Sequence, residues 1–258
     1  MDRIPFHVVS SSKQQRVSTK ERRKTLIHLI NWFAVLGLYL TWPLKWATAK
    51  DNKQFQRSDM KLPPPETKGT ISVERAIIQR RTIRAYRSQN LLLNQLSQLL
   101  WAAQGITESN GCKRAAPSAG ALYPLDLFAV VGQDSVELLE TGVYHYKSER
   151  HRLSLVVGRD LLNRVARAAL SQMWIAKAPL YIVITAEYSR TTGKYGKRGV
   201  RYALIEAGHV GQNIFLQAEA LGLKAGIVGA FNDNKLIEIM KIPNSYEPLL
   251  IMPVGYGA

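Results

Sequence analysis

Two short stretches hold the residue types with the most specific chemistry. Arg80, Arg81, Thr82 and Arg84 place three guanidiniums and a hydroxyl within five residues, and Pro117, Ser118, Ala119 and Gly120 form a stretch without bulky side chains. Guanidinium groups grip phosphate bidentately and do not lose their charge. A loop of small residues lets backbone N–H and C=O groups reach the edge of a ring directly. Together the two stretches point to a phosphorylated, flat cofactor. Taken separately, an arginine pair at a helix end also suits a solvated face, and the second stretch also suits a plain turn.

These residues need elements to position them. Ser72 is placed to cap a helix from Val73 to about Arg81, with Glu74 in its first turn and Ala76, Ile77 and Ile78 on or near its buried face. Leu96, Leu99, Leu100 and Ala103 recur at helical spacing, which predicts a helix from about Asn94 to Gln104 that stops at Gly105. Short apolar runs at 127–131, 143–146 and 153–157 read as strands, the last two as a hairpin. Asp160 is placed to cap a helix through Ala169, and the β-branched run 180–186 reads as a central strand. The stretch 187–200 is polar and contains glycine, and reads as a loop. Tyr202 to Leu221 is the longest helical pattern, and 224–230 and 249–254 are the last strands. Gly208 and Gly211 inside that helix are tolerable if another helix approaches closely there. Strands and helices do not alternate regularly, which favours an α+β sheet flanked by helices over a doubly wound one.

The chain has 258 residues, 46% of them hydrophobic, enough for a sizeable core. Its net charge of +16 raises the question of nucleic acid, but residues 1–50 hold nine Lys/Arg against two Asp/Glu and the remainder 26 against 17, so the excess is not one patch. A basic, solvated surface without a nucleic-acid partner is the better reading. Lys20-Glu21-Arg22-Arg23-Lys24 precedes a charge-free apolar run, residues 25–44, of the length of a bilayer span. The run reads as a retained transmembrane helix, or as a signal peptide because Ala47-Thr48-Ala49 is an A-x-A cleavage pattern. Arg22-Arg23 also suggests a twin-arginine export signal. Either way the protein is expected to be membrane-anchored or exported across the cytoplasmic membrane. Residues 50–70 are polar, contain Pro63-Pro64-Pro65 and read as a stiff spacer. The lone Cys112 excludes an internal disulfide, and no histidine at short spacing supports it as a nucleophile.

The blocks R-R-T-I-R-A-Y, S-Q-L-L-W-A-A-Q-G-I-T, A-P-S-A-G-A-L-Y-P, G-V-Y-H-Y, K-Y-G-K-R-G-V-R-Y-A-L-I-E-A-G-H-V-G-Q-N and V-G-A-F, in this order, resemble the SagB-type branch of the FMN-dependent nitroreductase family. The resemblance runs from Ser72 to Gly255. It implies a nitroreductase-like α+β fold, with a central, mainly antiparallel sheet flanked by helices and preceded by an N-terminal hydrophobic helix. Three regions follow: 1–49 as a basic and hydrophobic signal or anchor segment, 50–70 as linker, and 71–258 as the FMN-binding domain.

Carried over by resemblance, Arg80, Arg81, Thr82 and Arg84 bind the phosphate and ribityl chain, with Thr82 keeping the hydroxyl of the commoner serine. Pro117, Ser118, Ala119 and Gly120 lie along the isoalloxazine edge, and Gly229 and Ala230 match the position whose N–H faces flavin N5, where a fixed donor stabilises arriving negative charge. Lys194 and Tyr195 match the Lys-Tyr pair that azoline-oxidising members use to take a proton; an ammonium beside a phenol stabilises the phenolate and so makes a base available. The chain lacks basic residues beyond its last strand, so the phosphate would rest on the Arg80 cluster, or on Arg198 or Arg201. Glu206, His209 and Asn213 share a helix face, and read as a structural histidine–carboxylate pairing rather than a metal site.

The resulting expectation is an FMN-dependent oxidoreductase that transfers hydride through flavin N5. NAD(P)H would be a transient donor, the substrate a small molecule or peptide, and the assembly a homodimer with FMN at its interface. Two alternatives stay open: an azoline (thiazoline or oxazoline) oxidase in peptide modification, and a non-enzymatic basic protein that binds membranes.

Overall fold

The computed structural model describes residues 59–108, 111 and 113–258. Every described residue belongs to one compact unit, Gln54–Ala258. Its strands are β1 (Met60–Lys61), β2 (Leu125–Val131), β3 (Gly142–Lys147), β4 (Arg152–Val157), β5 (Leu180–Ala186), β6 (Lys224–Ala225) and β7 (Glu247–Gly255). They form one seven-stranded sheet in the order β1-β4-β3-β2-β5-β7-β6. Every strand pair in it is antiparallel. The helices are α1 (Val73–Gln79), α2 (Leu93–Gln104), α3 (Leu162–Ala168), α4 (Ser189–Tyr195), α5 (Arg198–Ala220) and α6 (Asp233–Met240).

Side chains alternate across the sheet because the strand period is two. In β5, Leu180, Ile182, Ile184 and Ala186 enter one core, which they share with Leu96, Leu99 and Leu100 of α2 and Val210 and Ile214 of α5. Tyr181 and Val183 enter the other, with Val165 of α3 and Leu236 and Met240 of α6. All seven β5 residues are solvent-inaccessible, at 0% exposure. Each large apolar side chain so buried contributes about 1.5–3 kcal/mol. The architecture is therefore an α+β sandwich of helices on both faces of an antiparallel sheet.

Several boundaries differ from expectation for identifiable reasons. The helix after Ser72 ends at Gln79, where Arg80 is already extended (φ −53°, ψ 123°). Only Ala76 of that helix is buried, while Ile77 and Ile78 are 53% and 64% exposed, because no element among the described residues covers that face. The next helix has Leu161 rather than Asp160 at its N-cap, although Asp160 Oδ1 accepts from Leu162 N at 2.9 Å just ahead of it. The stretch 187–200 is not a loop: it folds as α4, two residues from the start of α5. The strand expected at 224–230 pairs regularly only at Lys224–Ala225, opposite Gly255 and Val254 of β7. What approaches α5 at Gly211 is sheet rather than helix, since a β-carbon there would lie 3.6 Å from Leu250 Cδ1 and Met252 Sδ.

Part of the stretch read as a spacer is docked. β1 pairs with β4, Leu62 N donates to His151 O at 3.1 Å, and Leu62 is 2% exposed. Ser97 Oγ donates to Pro63 O at 2.6 Å, and Glu66 N to Gln98 Oε1 at 2.8 Å. The expectation of a membrane span or export signal, and of an anchored or exported location, is corrected: no helix among the described residues is long and apolar enough to cross a membrane. Residues 25–44, which suggested it, lie outside the described residues.

Candidate active site

The small-residue loop leaves α2 at Gly105 and is tied back to it by Ala115 N, which donates to Gly105 O at 2.9 Å. A tight turn follows, with Ala121 N donating to Ser118 O at 3.1 Å and Tyr123 N to Ser118 Oγ at 2.9 Å. The turn requires left-handed backbone at Gly120 (φ 64°), Ala121 (φ 53°) and Tyr123 (φ 45°). Glycine adopts that conformation freely, whereas the other two do so at a cost. Among the described residues, the N–H groups of Ser118, Ala119 and Gly120 have no acceptor. Three donors on a glycine-containing turn suit the rim of a polar ring.

Lys194 and Tyr195 end α4 beside this turn. A β-carbon on Gly120 would lie 2.6 Å from Tyr195 Oη and 3.1 Å from Lys194 Nζ, so the turn and the pair share one small volume. Lys194 Nζ sits 5.4 Å from the Tyr195 ring centroid, and Tyr202 of α5 meets that ring edge-on at 5.1 Å. α4 stops at Gly196 (φ 55°, ψ −144°), and α5 starts against it through Gly199, where a β-carbon would lie 2.7 Å from the Thr191 and Thr192 backbone. Tyr195 is thus wedged between the turn and α5.

Beneath the turn lies an acid. Glu206 of α5 is 2% exposed and accepts from Gln104 Nε2 of α2 at 3.0 Å. Burial pushes its carboxyl above the usual range, against the pull of the Ser118 hydroxyl, the Gln104 amide and the Arg114 charge. The pairing expected with His209 is not formed, because His209 faces outward. Asn213, the third residue of that face, donates Nδ2 to Ala102 O at 2.9 Å. Among the described residues no group of three or more His, Cys, Asp or Glu gathers to hold a metal.

The arginine segment lies elsewhere on α5. Arg80 stacks over Phe215 at 5.2 Å, and Arg84 over Trp174 at 5.7 Å. Thr82 pairs in parallel with Ala225, and Ile83 N donates to Ala225 O at 3.0 Å, which sets the segment along the sheet edge. Arg81 instead turns back on its own helix end, donating Nη1 to Ile78 O at 2.9 Å and Arg80 O at 2.7 Å. Arg80 and Arg84 have no carboxylate partner among the described residues. Gly226 packs against Ile83 O, 2.8 Å from a β-carbon position, which brings the strand leading to Gly229 and Ala230 alongside. Gly229 is exposed, its N–H has no acceptor among the described residues, and a β-carbon on it would meet nothing nearer than Leu250 Cδ2 at 3.9 Å. The expected site residues therefore fall into two groups, and no hydrogen bond, ion pair or ring contact among the described residues joins them. Phe215 and Glu206, which mark them on α5, are nine residues apart, about 13 Å along a helix.

A cluster missed in the sequence lines a cavity of about 260 Å³ that also reaches Gln104 and Arg114. Asp126 binds His145 Nε2 through Oδ1 and Arg190 Nη2 through Oδ2, both at 2.7 Å, and Arg190 Nε meets Glu187 at 2.7 Å. Lys147 Nζ donates to His145 Nδ1 at 2.7 Å, and Arg190 Nη1 to Tyr123 O at 3.1 Å, which braces the far end of the turn. Burial alone would raise the Asp126 carboxyl, but the His145 hydrogen bond and the Arg190 charge outweigh it and hold it below the usual range. Asp126, His145 and Lys147 were polar positions at strand alternation, the one signal that could have exposed them.

A helix-flanked antiparallel sheet with a donor-rich turn against a Lys-Tyr pair is an architecture that suits a flavin-binding oxidoreductase. The nitroreductase family model matches residues 77–256, and the chain belongs to the nitroreductase family as an FMN-dependent enzyme. It is 47% identical over 185 residues to the nitroreductase-family protein MJ1384 of Methanocaldococcus jannaschii, covering 72% of this chain and 91% of that one. It is 28% identical over 170 residues to the Microcin B17-processing protein McbC of Escherichia coli, covering 64% of this chain and 62% of McbC. A nitroreductase-like crystal structure from Ralstonia eutropha matches with a TM-score of 0.68 at 29% identity, over 78% of this chain and 90% of that one. Family membership sets aside the non-enzymatic membrane-binding alternative.

Proposed function

We propose that the protein transfers hydride between FMN and an organic substrate, with Lys194 and Tyr195 handling the accompanying proton. The observation that supports this most directly is the packing of both residues against Gly120. Bound FMN supplies the hydride acceptor and donor at its N5 atom. The chain's own groups fit that cofactor. Arg80 and Arg84 offer unpaired charge for a phosphate, Gly229 offers a free N–H with open space in front of it, and the Ser118–Gly120 turn offers donors for a ring edge. Pro117 and Ala119 keep that edge free of bulk, Thr82 adds a hydroxyl beside the arginines, and Ala230 continues the Gly229 backbone.

The two groups of residues stand apart on α5, which suits a homodimer in which FMN lies between protomers. The exposed Val73, Ile77 and Ile78 of α1 offer apolar surface for that contact. NAD(P)H would serve as a transient donor over the flavin. The test is the absorbance spectrum of the purified chain after FMN addition, followed by anaerobic NADH or NADPH. Bound flavin that bleaches supports the proposal, and a chain that stays colourless overturns it.

A second reading is favoured by the Lys194–Tyr195 pair and by the similarity to McbC. The substrate would then be a thiazoline or oxazoline in a peptide, which loses one hydride and one proton to become aromatic. Tyr195 would take the proton, with Lys194 Nζ 5.4 Å from its ring centroid.

A further inference from the structure

Glu206 has a feature that the flavin reading does not use. Gln104 and Glu206 are both almost fully buried and share one hydrogen bond, from Nε2 to Oε1. The remaining oxygen of each, Gln104 Oε1 and Glu206 Oε2, is buried without a hydrogen-bond partner among the described residues. Two orphan acceptors on one pair are costly, since each gives up its water and gains nothing. They are also complementary, because one proton on Oε2 would turn it into the donor that Oε1 of Gln104 lacks. The pair would then be an acid–amide dimer with both hydrogen bonds made. Ser118 links this pair to the turn: its Oγ already accepts from Tyr123 N, so its own proton is free to point at the Glu206 carboxyl.

We propose that Glu206 is a positioning residue whose carboxyl pairs in its neutral form with the Gln104 amide and fixes the Ser118–Gly120 turn against Lys194 and Tyr195. Gln104 from α2 and Ser118 from the turn face it as neutral groups, and Arg114 acts on it as a charge. Ionisation above the ordinary glutamate range would place a bare charge beneath the turn, break the bond to Gln104 Oε1 and loosen the backbone donors of Ser118, Ala119 and Gly120. The assignment rests on the flavin reading only for what the turn contacts.

The test compares the full chain with Glu206→Gln and Glu206→Ala. Infrared difference spectra should show a protonated-carboxyl band at neutral pH in the parent that Glu206→Gln lacks. FMN affinity of the parent should fall by about tenfold or more toward alkaline pH, whereas Glu206→Gln, an uncharged isostere, should bind with a flat pH profile. Glu206→Ala should bind weakly at every pH. Absence of the carboxyl band, or a Glu206→Gln profile that falls with the parent's, overturns the assignment. If no variant binds FMN, the flavin reading fails, while the infrared band still decides the state of Glu206. If Glu206→Ala does not fold, the other two proteins suffice.

Discussion

Gly120 and Tyr195 stand so close that a side chain on the first would strike the hydroxyl of the second, 2.6 Å from a β-carbon position. Gly120→Ala therefore combines two penalties. Its left-handed backbone (φ 64°) costs about 1–2 kcal/mol for alanine, and the methyl displaces Tyr195. The expected outcome is a lower melting temperature, by an amount matching that cost, together with a loss of turnover. Turnover per bound flavin, measured well below the melting temperature, separates the two effects.

Tyr195→Phe keeps the ring and its edge contact with Tyr202, so stability and FMN content should hold. If the reaction moves a proton through the hydroxyl, as azoline oxidation requires, turnover should drop by about a hundredfold or more. Quinone or nitro-aromatic reduction should change little. Steady-state rates on both substrate classes decide between the two readings of function.

Arg80→Ala and Arg84→Ala each remove a guanidinium that no carboxylate among the described residues neutralises. A charge-assisted hydrogen bond is worth about 1.5–3 kcal/mol, so each should weaken FMN binding by roughly ten- to a hundredfold. Arg81→Ala should weaken it less, because Arg81 is occupied by the carbonyls of Ile78 and Arg80. Fluorescence titration of FMN against the three variants checks the order.

Asp126 gives a pH dependence of opposite sign to that of Glu206. Its carboxyl is held below the usual range, despite burial, by His145 and Arg190. The stability it contributes is present above the ordinary aspartate value of about 3.9 and is lost as pH falls through the depressed native value. Asp126→Asn should cost about 1.5–3 kcal/mol at neutral pH, and the two proteins should converge in acid. Urea unfolding at several pH values measures this difference.

Ile78→Asp places a charge in the exposed apolar face of α1, where Ile78 is 64% exposed in the protomer. Folding of the protomer should be nearly unaffected. The apparent mass by light scattering should shift toward the monomer, with loss of bound FMN. Unchanged mass would remove α1 from the dimer contact.

The elements that the sequence revealed best are those whose pattern and packing agree. The run 180–186 is apolar on both faces because helices cover both sides of β5. Gly105 ended α2 as expected, since the backbone turns extended there and a β-carbon would collide with Trp101. α4 stayed hidden because Ser189 to Tyr195 buries only Thr191 and has Gly193 in its middle. Its stability comes from contact with α5, which local composition does not encode. α6 could have been read from Asn232, whose side chain caps Lys235 N at 2.9 Å, and from Leu236 and Met240 four residues apart. The candidate site drew attention in the sequence through its small-residue turn, its arginines and its Lys-Tyr pair. What could not be read was the partner of Glu206, because Gln104 lies on another helix, 102 residues away in the chain.

Gly199 bears on how Lys194 and Tyr195 respond to change. Its missing side chain lets α5 press on the Thr191–Thr192 backbone with nothing soft between them. A displacement of the long helix at that contact would act on the backbone of α4, which carries Lys194 and Tyr195. The two helices are geared together, and a substitution several turns along α5 should register as altered turnover without touching the pair.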